Sequence, residues 1–366
     1  MALAVLQPSR PVPPEDPRPI AFAEVVRTVA ASITRLAATS VPLSEAEGLR
    51  LARPLVATGP IPPHALAVRA GWAVQSDDTV GAGPYSPALL PYPPVVVGAG
   101  DVLPAGCDAV LPDDAVISGP LGPECYQPAT PGEDVRRTGD DMPGGTVLLD
   151  AGETLTALGL AAASAAGIET CEACRPTLVL LCPDGDSMPP GLALIARLAS
   201  RRYGAVVRTA ANIAPGAIGA DLVVGAIGHG AIPFRSGIAV ASRIAMRPGE
   251  DAAIHLRDGV PCLLLPDRLE DALALWLALI EPCLDLLTGS HPETPTPRPL
   301  TRKIASRPGL AELALLRDTE EGFEPLSVGR APLQAVTRAS HWLLVPADSE
   351  GYGTGTTVAA RRLLLP

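Results

Sequence analysis

The chain has 366 residues, a formal net charge of −11 and a pI of about 5.0. Hydrophobic residues make up 47% and aromatic residues only 3%, so any core must be built from Leu, Val, Ile and Ala. An acidic chain of this kind lacks the basic face that a general nucleic-acid or anionic-membrane binder needs. A local pocket of arginines and helix N-termini would still be able to hold a small anion.

The cysteines and the N-terminal residues indicate a cytoplasmic protein. Seven cysteines without a regular spacing are typical of reduced thiols in the cytosol. Cys171 and Cys174 form a lone CxxC without a second ligand pair, which favours structural cysteines over a redox or metal site. The N-terminus lacks the pattern of a signal peptide. We find no apolar run of the ~18 residues that a membrane span needs.

The first half of the chain predicts a helical part that a β module interrupts. Residues 1–18 are Pro-rich and are predicted to be disordered. Apolar residues at helical spacing predict a helix over 20–39. The elongated N-terminal domain is assigned to 19–55 and 133–175, and the inserted β module to 56–132. Short β-prone segments lie in the module at 72–75, 94–98 and 108–112. A further helix is predicted from Leu155 to Gly167.

From residue 176 the pattern becomes strand, helix, strand, which predicts an α/β domain over 176–289. Strands are predicted at 177–182, 205–209, 221–225, 243–246 and 260–265, and helices at 192–203 and 269–287. Ligands of such sheets lie beyond the carboxyl ends of the strands. Those ends are the loops at 183–191, 225–233, 247–252 and 266–268. A Pro/Thr linker leads to a C-terminal β domain over 296–366.

Five segments in this order resemble the molybdopterin molybdenumtransferases, the family of bacterial MoeA and the gephyrin E-domain. They are HALAVRAGWAV (64–74), VVVGAGDVLPAGCDAVLPDD (95–114), GDDMPGGTVLLDAGETLTALGLAAASAAGI (139–168), AMRPGED (245–251) and VPCLLLPDRLEDALALWLALIEPCLDLLTG (260–289). That family inserts molybdate into adenylylated molybdopterin. The resemblance implies an elongated helical N-terminal part with an inserted β module, a three-layer α/β molybdopterin-binding-like domain, a small C-terminal β domain and a homodimer.

The resemblance also implies the site. Asp140, Asp141 and Asp186 stand at acidic positions of the family and are the candidate catalytic residues, and Asp186 is also the candidate ligand of Mg²⁺. The candidate residues for binding the pterin and its phosphate are Asp184, Gly185, Ser187, Gly225, Gly228, Arg247, Pro248, Gly249 and Pro266. Molybdopterin (adenylylated), molybdate and Mg²⁺ are the expected ligands. A molybdoenzyme is a further candidate partner, and neither nucleic acid nor a membrane is expected.

Each candidate residue has a structural alternative. Asp140 and Asp141 are equally well explained as caps of a solvated turn. For Asp184 and Asp186 a ligand contact at the carboxyl edge of the sheet is favoured over the alternative of a β-turn. Gly225 and Gly228 would let a phosphate approach backbone N–H groups, but they fit a plain tight turn as well. For Arg247, the choice lies between a bidentate phosphate contact and a surface ion pair.

Several family positions have changed. The acidic residue of the first motif falls on Ala70, the Glu of a Thr-Gly-Asp-Glu motif falls on Ser187, and the second Lys of a Lys-Pro-Gly-Lys motif falls on Glu250. Glu250 would repel a phosphate. Two functions therefore stay open: a molybdenumtransferase whose activity the lost residues reduce, or a non-catalytic molybdopterin-binding scaffold or insertion chaperone. A generic α/β nucleotide binder has no glycine-rich phosphate motif to support it.

Overall fold

A computed structural model describes residues 18–182, 188–210, 219–227, 237–290 and 293–363. The protein is a mixed α/β protein with many strands and few helices. It divides into two compact units. The first comprises the residues up to Arg53, the segment Ala151–Thr156 and the residues from Cys171 onward. The second comprises Pro54–Asp150 and Ala157–Thr170.

The first unit begins with a short strand and an amphipathic helix. Phe22, Val25 and Val29 lie at helical spacing and are buried in the main core. The helix predicted over 20–39 is confirmed, but it ends at Ser32, because Ile33 has an extended backbone. The elements of this segment are β1 (Ile20–Ala21), α1 (Phe22–Ser32), β2 (Thr39–Pro42) and β3 (Arg50–Leu51).

The second unit is built from short strands. The three segments predicted as strands in the β module are confirmed as β8, β6 and β9, which form one antiparallel sheet in that order. β10, β11 and β7 form a second sheet. The elements are β4 (Leu55–Val56), β5 (Leu66–Ala67), β6 (Gly71–Val74), β7 (Ala88–Leu89), β8 (Val95–Val97), β9 (Ala109–Leu111), β10 (Val116–Gly119), β11 (Gly122–Cys125), β12 (Val135–Arg136), β13 (Val147–Leu149) and α2 (Ala157–Ala165).

The chain returns to the first unit with β14 and then forms a largely parallel sheet in the order β16-β15-β17-β21-β20-β18. β16, β15, β17 and β21 are parallel, which matches the continuous apolar sequences of β15, β17 and β21. The elements are β14 (Thr170–Cys174), β15 (Thr177–Leu181), α3 (Pro190–Tyr203), β16 (Val206–Ala210), β17 (Leu222–Ile227), β18 (Ile238–Ala241), β19 (Ile244–Arg247), β20 (Ala253–Arg257), β21 (Val260–Pro266), α4 (Leu269–Leu275), a π-helical turn (Trp276–Ile280) and α5 (Glu281–Thr288).

The C-terminal strands form a sheet in the order β1-β19-β24-β26-β28-β22, with β25 paired to β24. Assigning 243–246 to the parallel sheet was therefore wrong, because β19 pairs with β1 and β24 instead. Ile244 and Met246 are fully buried, so their sequence does not distinguish one sheet from the other. The elements are β22 (Thr296–Pro299), β23 (Ile304–Ala305), β24 (Ala311–Thr319), β25 (Gly322–Val328), α6 (Leu333–Val336), β26 (His341–Val345), β27 (Gly351–Tyr352) and β28 (Thr357–Arg362).

The two compact units follow a different division from the one predicted from the sequence. Residues 133–150 fall with the β module in the second unit, and residues 296–366 fall with 176–289 in the first. The predicted domain boundaries stay a prediction. None of the helices in the described parts of the chain is long and apolar enough to span a bilayer.

Candidate functional site

Five of the candidate residues lie outside the described residues. These are Asp184, Gly185, Asp186, Ser187 and Gly228. The magnesium site predicted at Asp186 therefore lies outside the described residues and stays a prediction. The other seven are described: Asp140 and Asp141 in the second unit, and Gly225, Arg247, Pro248, Gly249 and Pro266 in the first.

Asp140 and Asp141 lie in a tight turn, and each carboxylate has a nearby partner. A carboxylate oxygen of Asp140 accepts the N–H of Arg137 at 2.6 Å, as a turn cap does. Asp141 accepts the Nε–H of Arg136 at 2.7 Å and forms an ion pair with it. The Asp141 N–H donates to the carbonyl oxygen of Ile61, which fixes the turn. Both aspartates are exposed, so their free lone pairs still face solvent and are available to a ligand.

The loop at 64–74 has a glycine that its packing requires, and the exposed Ala70 lies beside it. A Cβ on Gly71 would collide with the carbonyl oxygen of Leu111 on the neighbouring strand β9. Ala70 brings no titratable group to the loop. Arg69 beside it forms an ion pair with Asp134 at 3.7 Å. The loop therefore approaches β9 closely and has no carboxylate at position 70.

Gly225 lies within β17, two residues before the strand ends at Ile227. It pairs in register with Leu264 of β21 and is buried. A Cβ at this position would lie 3.0 Å from Leu264 Cδ2 and 3.2 Å from Leu181 Cβ. Close packing between strands therefore explains this glycine. Pro266, at the carboxyl end of β21, pairs in register with Ile227.

Arg247 is the last residue of β19, and its guanidinium contacts Glu250 of the following loop. Its Nε–H donates to Glu250 Oε2 at 3.0 Å, and Nη2 lies 3.0 Å from the same oxygen. Arg243 Nη2 donates to the other carboxylate oxygen, Oε1, at 2.8 Å. In the structure, Arg247 therefore forms an ion pair with Glu250, the arrangement considered as the alternative to a phosphate contact.

The loop after Arg247 packs against α4. A Cβ on Gly249 would lie 3.2 Å from Leu275 Cγ, so the glycine permits a close approach of the loop to the helix. Burial raises the pKa of the Asp271 carboxyl, and the backbone N–H of Gly249 is among the groups that oppose this rise. The structure therefore brings Gly249 beside α4, the helix that follows Pro266.

We call this group of charged residues the arginine corner. It consists of Arg243, Arg247, Glu250, Asp251, Arg268 and Asp271. Arg268 Nε donates to Asp271 Oδ2 at 2.6 Å. Burial raises the pKa of Asp271, and the bond from Arg268 opposes that rise. Each of the three arginines is paired with a carboxylate of the same corner.

Sequence reasoning missed Asp271, which is fully buried at the third position of α4. The signal was the arginine three residues before it, directly after a predicted strand. An acid in the first helical turn interacts favourably with the helix dipole. Asp221, in contrast, has a structural role at the start of a strand. Its Oδ2 accepts the N–H of Thr177 at 2.7 Å, which links the starts of β17 and β15.

Comparison with known proteins identifies the family. Residues 20–167 match the model of the MoeA N-terminal region (domain I and II). Molybdopterin molybdenumtransferase 2 of Mycobacterium tuberculosis is 27% identical over 317 residues, which cover 72% of this chain and 78% of that protein. Molybdopterin molybdenumtransferase of Synechococcus elongatus is 24% identical over 94% of this chain and 100% of its own. The N-terminal region of the chain, residues 20–167, belongs to the MoeA family, and the similarity to these relatives extends over most of the chain.

Solved MoeA structures have the same fold as this chain. The molybdopterin biosynthesis MoeA protein from Pyrococcus horikosii superposes with a TM-score of 0.68 at 21% identity, over 94% of this chain and 99% of its own. A molybdenum cofactor biosynthesis protein from Pyrococcus furiosus has a TM-score of 0.56 at 15% identity. The matched N-terminal region includes Ala70, Gly71, Asp140 and Asp141, whereas the arginine corner lies beyond it.

Proposed function

We propose that the protein works in molybdenum cofactor biosynthesis as a molybdopterin molybdenumtransferase-like protein. Its substrates would be adenylylated molybdopterin and molybdate. The observation that carries this proposal is the match of 72–94% of the chain to relatives with that printed name, at 24–27% identity. A shared fold alone does not define an activity, so the site has to be considered separately.

In this proposal Asp140, Asp141 and Asp186 are the catalytic residues, and Asp186 would hold Mg²⁺. Asp184, Gly185, Ser187, Gly225, Gly228, Arg247, Pro248, Gly249 and Pro266 would bind the pterin and its phosphate. The packing of Gly249 against α4, the helix that follows Pro266, supports a common ligand for those two segments.

The described residues do not by themselves supply a metal site. Among them we find no group of three or more His, Cys, Asp or Glu side chains that would hold a metal ion. Asp140 and Asp141 are each engaged by a neighbouring group in their turn. Magnesium binding therefore depends on the proposed role of Asp186, and we assign no reaction step to the metal.

The charges of the site favour a second candidate function, a non-catalytic molybdopterin-binding scaffold or an insertion chaperone for a molybdoenzyme. Ala70 cannot transfer a proton, and it stands where the family has an acid. Arg247 is paired with Glu250, so a phosphate has to displace a carboxylate to reach it. Both features would weaken chemistry on a phosphate ester while leaving the shape of the fold intact.

One experiment separates the two functions. The purified full-length chain is titrated calorimetrically with adenylylated molybdopterin, with and without Mg²⁺ and molybdate, and AMP release is measured in parallel. Binding followed by AMP release supports the transferase. Binding without AMP release supports the scaffold, and the absence of any binding contradicts both. Asp114→Asn, at an exposed position in the second unit, provides the matched control variant.

The remaining features of the proposal follow the family. We propose the organisation given above: an elongated helical N-terminal part with an inserted β module, a three-layer α/β domain and a small C-terminal β domain. A cytoplasmic homodimer is proposed with it. Sedimentation at micromolar concentration should show the dimer, and a monomer alone would contradict it.

A further inference from the structure

The β module has a cavity at the carboxyl end of β6, and its lining residues all belong to the second unit. Its floor includes Val74 of β6 and Leu90, which are both buried in the core of the module. The volume is about 300 Å³, at the small end of the range for ligand pockets. Ala70 directly precedes the opposite end of β6, and none of the described candidate residues lines the cavity. The cavity is therefore separate from the candidate site.

Prolines and exposed apolar side chains form the walls of this cavity. One wall is the segment before β8, which contains Tyr92, Pro93 and Pro94, and the opposite wall begins at Pro104. Proline fixes its own backbone φ angle, so these walls keep their shape without a ligand. Tyr92 is 78% exposed and Val95 is 47% exposed, although both line the cavity. Exposed apolar side chains grouped at a cavity are typical of a surface that contacts another protein.

The cavity contains a carboxylate that the protein does not neutralise. Asp78 is half-buried in its lining, and no group in the described part of the chain donates a hydrogen bond to its carboxylate. Asp108, in contrast, accepts the N–H and the hydroxyl hydrogen of Ser76, both at 2.7 Å. Burial, together with Asp108 and Asp78, raises the pKa of the Cys107 thiol in the same lining. Asp78 is thus the group in this cavity that is ready to bind a cation.

The charge of the second unit favours a basic partner. The unit contains thirteen Asp and Glu residues but only three arginines and no lysine. The arginines are Arg69, Arg136 and Arg137, and each of them bonds to a group outside the cavity. A surface of this kind attracts positively charged groups and repels anions. The free carboxylate of Asp78 therefore lies in a part of the molecule that concentrates cations.

We propose that this cavity is a docking site for an arginine side chain of a protein partner. The guanidinium would pair with the Asp78 carboxylate and stack on the ring of Tyr92, and its apolar stem would cover Val74 and Leu90. Arginine suits the cavity better than lysine does, because a guanidinium is planar, stacks on aromatic rings and is more weakly hydrated than an ammonium group. This inference goes beyond the proposed function and does not depend on it.

The test measures binding of the peptide acetyl-Ala-Arg-Ala-amide to the full-length protein by saturation-transfer NMR at low salt. The arginine methylene protons should receive saturation, with a dissociation constant of about 1–10 mM, and added NaCl should weaken the binding. The same peptide with citrulline, which has nearly the same shape without the charge, should bind at least about tenfold more weakly. A lysine peptide should also bind more weakly. Equal binding of either analogue, or no binding of the arginine peptide, overturns the proposal.

Matched variants locate the binding site. Asp78→Asn and Tyr92→Ala should each weaken binding of the arginine peptide at least about fivefold. Asp77→Asn removes an exposed neighbouring carboxylate, and Tyr85→Ala removes a fully exposed tyrosine; both positions lie outside the cavity lining and should bind as the wild type does. Unchanged affinity of a folded Asp78→Asn protein contradicts the proposal, and so does an equal loss in Asp77→Asn. The comparison of the three peptides on the wild type remains decisive if a variant does not fold.

Discussion

Tyr203 donates its hydroxyl hydrogen to Oδ1 of Asp285 at 2.6 Å, and this bond joins the end of α3 to α5 inside the core of the first unit. The Tyr203 side chain is fully buried. Burial, together with the carboxylates of Asp285 and Glu281, raises the pKa of the phenol far above its usual range. The Arg50 guanidinium lies 5.7 Å from the centre of the Tyr203 ring. The hydroxyl therefore acts as a permanent hydrogen-bond donor.

Tyr203→Phe should destabilise the protein by about 1–3 kcal/mol, because the partly buried Asp285 carboxylate loses the donor that the phenol supplies. The free energy of unfolding in urea measures the loss. Tyr85→Phe is the matched control, since Tyr85 is exposed and its change should fall within about 0.5 kcal/mol. Equal stability of the two variants would show that the Tyr203 bond contributes nothing.

The stability of the protein should depend on pH through Glu281. Burial raises the pKa of this carboxyl from 4.5 to about 7, although Arg202, 2.7 Å away, opposes the rise. Asp285 adds to the rise, while Arg361 and Arg50 also oppose it. The folded state thus keeps a proton that the unfolded chain has lost. The free energy of unfolding should therefore fall between pH 4.5 and about 7, by at most about 1.4 kcal/mol per pH unit.

Glu281→Gln should remove this part of the pH dependence, because glutamine has no proton to lose. Urea unfolding of wild type and variant at several pH values between 4.5 and 7 measures the difference in slope. Glu169→Gln, at an exposed position, should keep the slope of the wild type. Parallel curves for wild type and Glu281→Gln would rule out Glu281 as the titrating group.

Gly71→Ala should destabilise the β module, because the added methyl group would collide with the backbone of Leu111 and approach Val110 Cγ1 to 3.3 Å. Backbone cannot move aside as a side chain can, so we expect a loss of about 1–3 kcal/mol or more. Thermal unfolding of the full chain measures it. Gly83→Ala is the control, since no atom lies within 4 Å of its added Cβ. A Gly71→Ala protein as stable as this control would contradict the close approach of β6 and β9.

Asp141→Asn should change stability by about 1 kcal/mol or less, because exposed ion pairs such as Asp141–Arg136 contribute little. Its affinity for adenylylated molybdopterin should nevertheless fall at least about tenfold if the carboxylate contacts the ligand as proposed. Calorimetric titration compares it with Asp114→Asn. An unchanged affinity would leave Asp141 with only its role in the turn.

The secondary structure of this chain could be predicted well, but the partners of its strands could not. The apolar spacing of Phe22, Val25 and Val29 predicts α1, and the run from Thr177 to Leu181 predicts β15. β19 is equally apolar, yet it pairs with β1 and β24. A strand buried on both faces carries no signal for the sheet that it joins.

The sequence predicts candidate site residues but not the contacts between their side chains. The resemblance indicates Arg247 as a phosphate ligand, and Glu250 three residues later is unfavourable to phosphate. What the sequence does not contain is the side-chain geometry, in which Arg243 approaches the same carboxylate from the start of β19. The Tyr203–Asp285 bond joins residues 82 positions apart, a distance over which periodicity gives no information.

Strand β19 has a consequence for the evolution of the chain. β18 and β20 are antiparallel neighbours in the largely parallel sheet. The segment that connects them leaves that sheet and supplies β19 to the sheet of the C-terminal strands. A recombination event that exchanged only the C-terminal segment between two relatives would place a foreign β24 against the native β19. The two segments should therefore be inherited together, and Met246 and Ala311, which pair in register, should change in a correlated way among descendants.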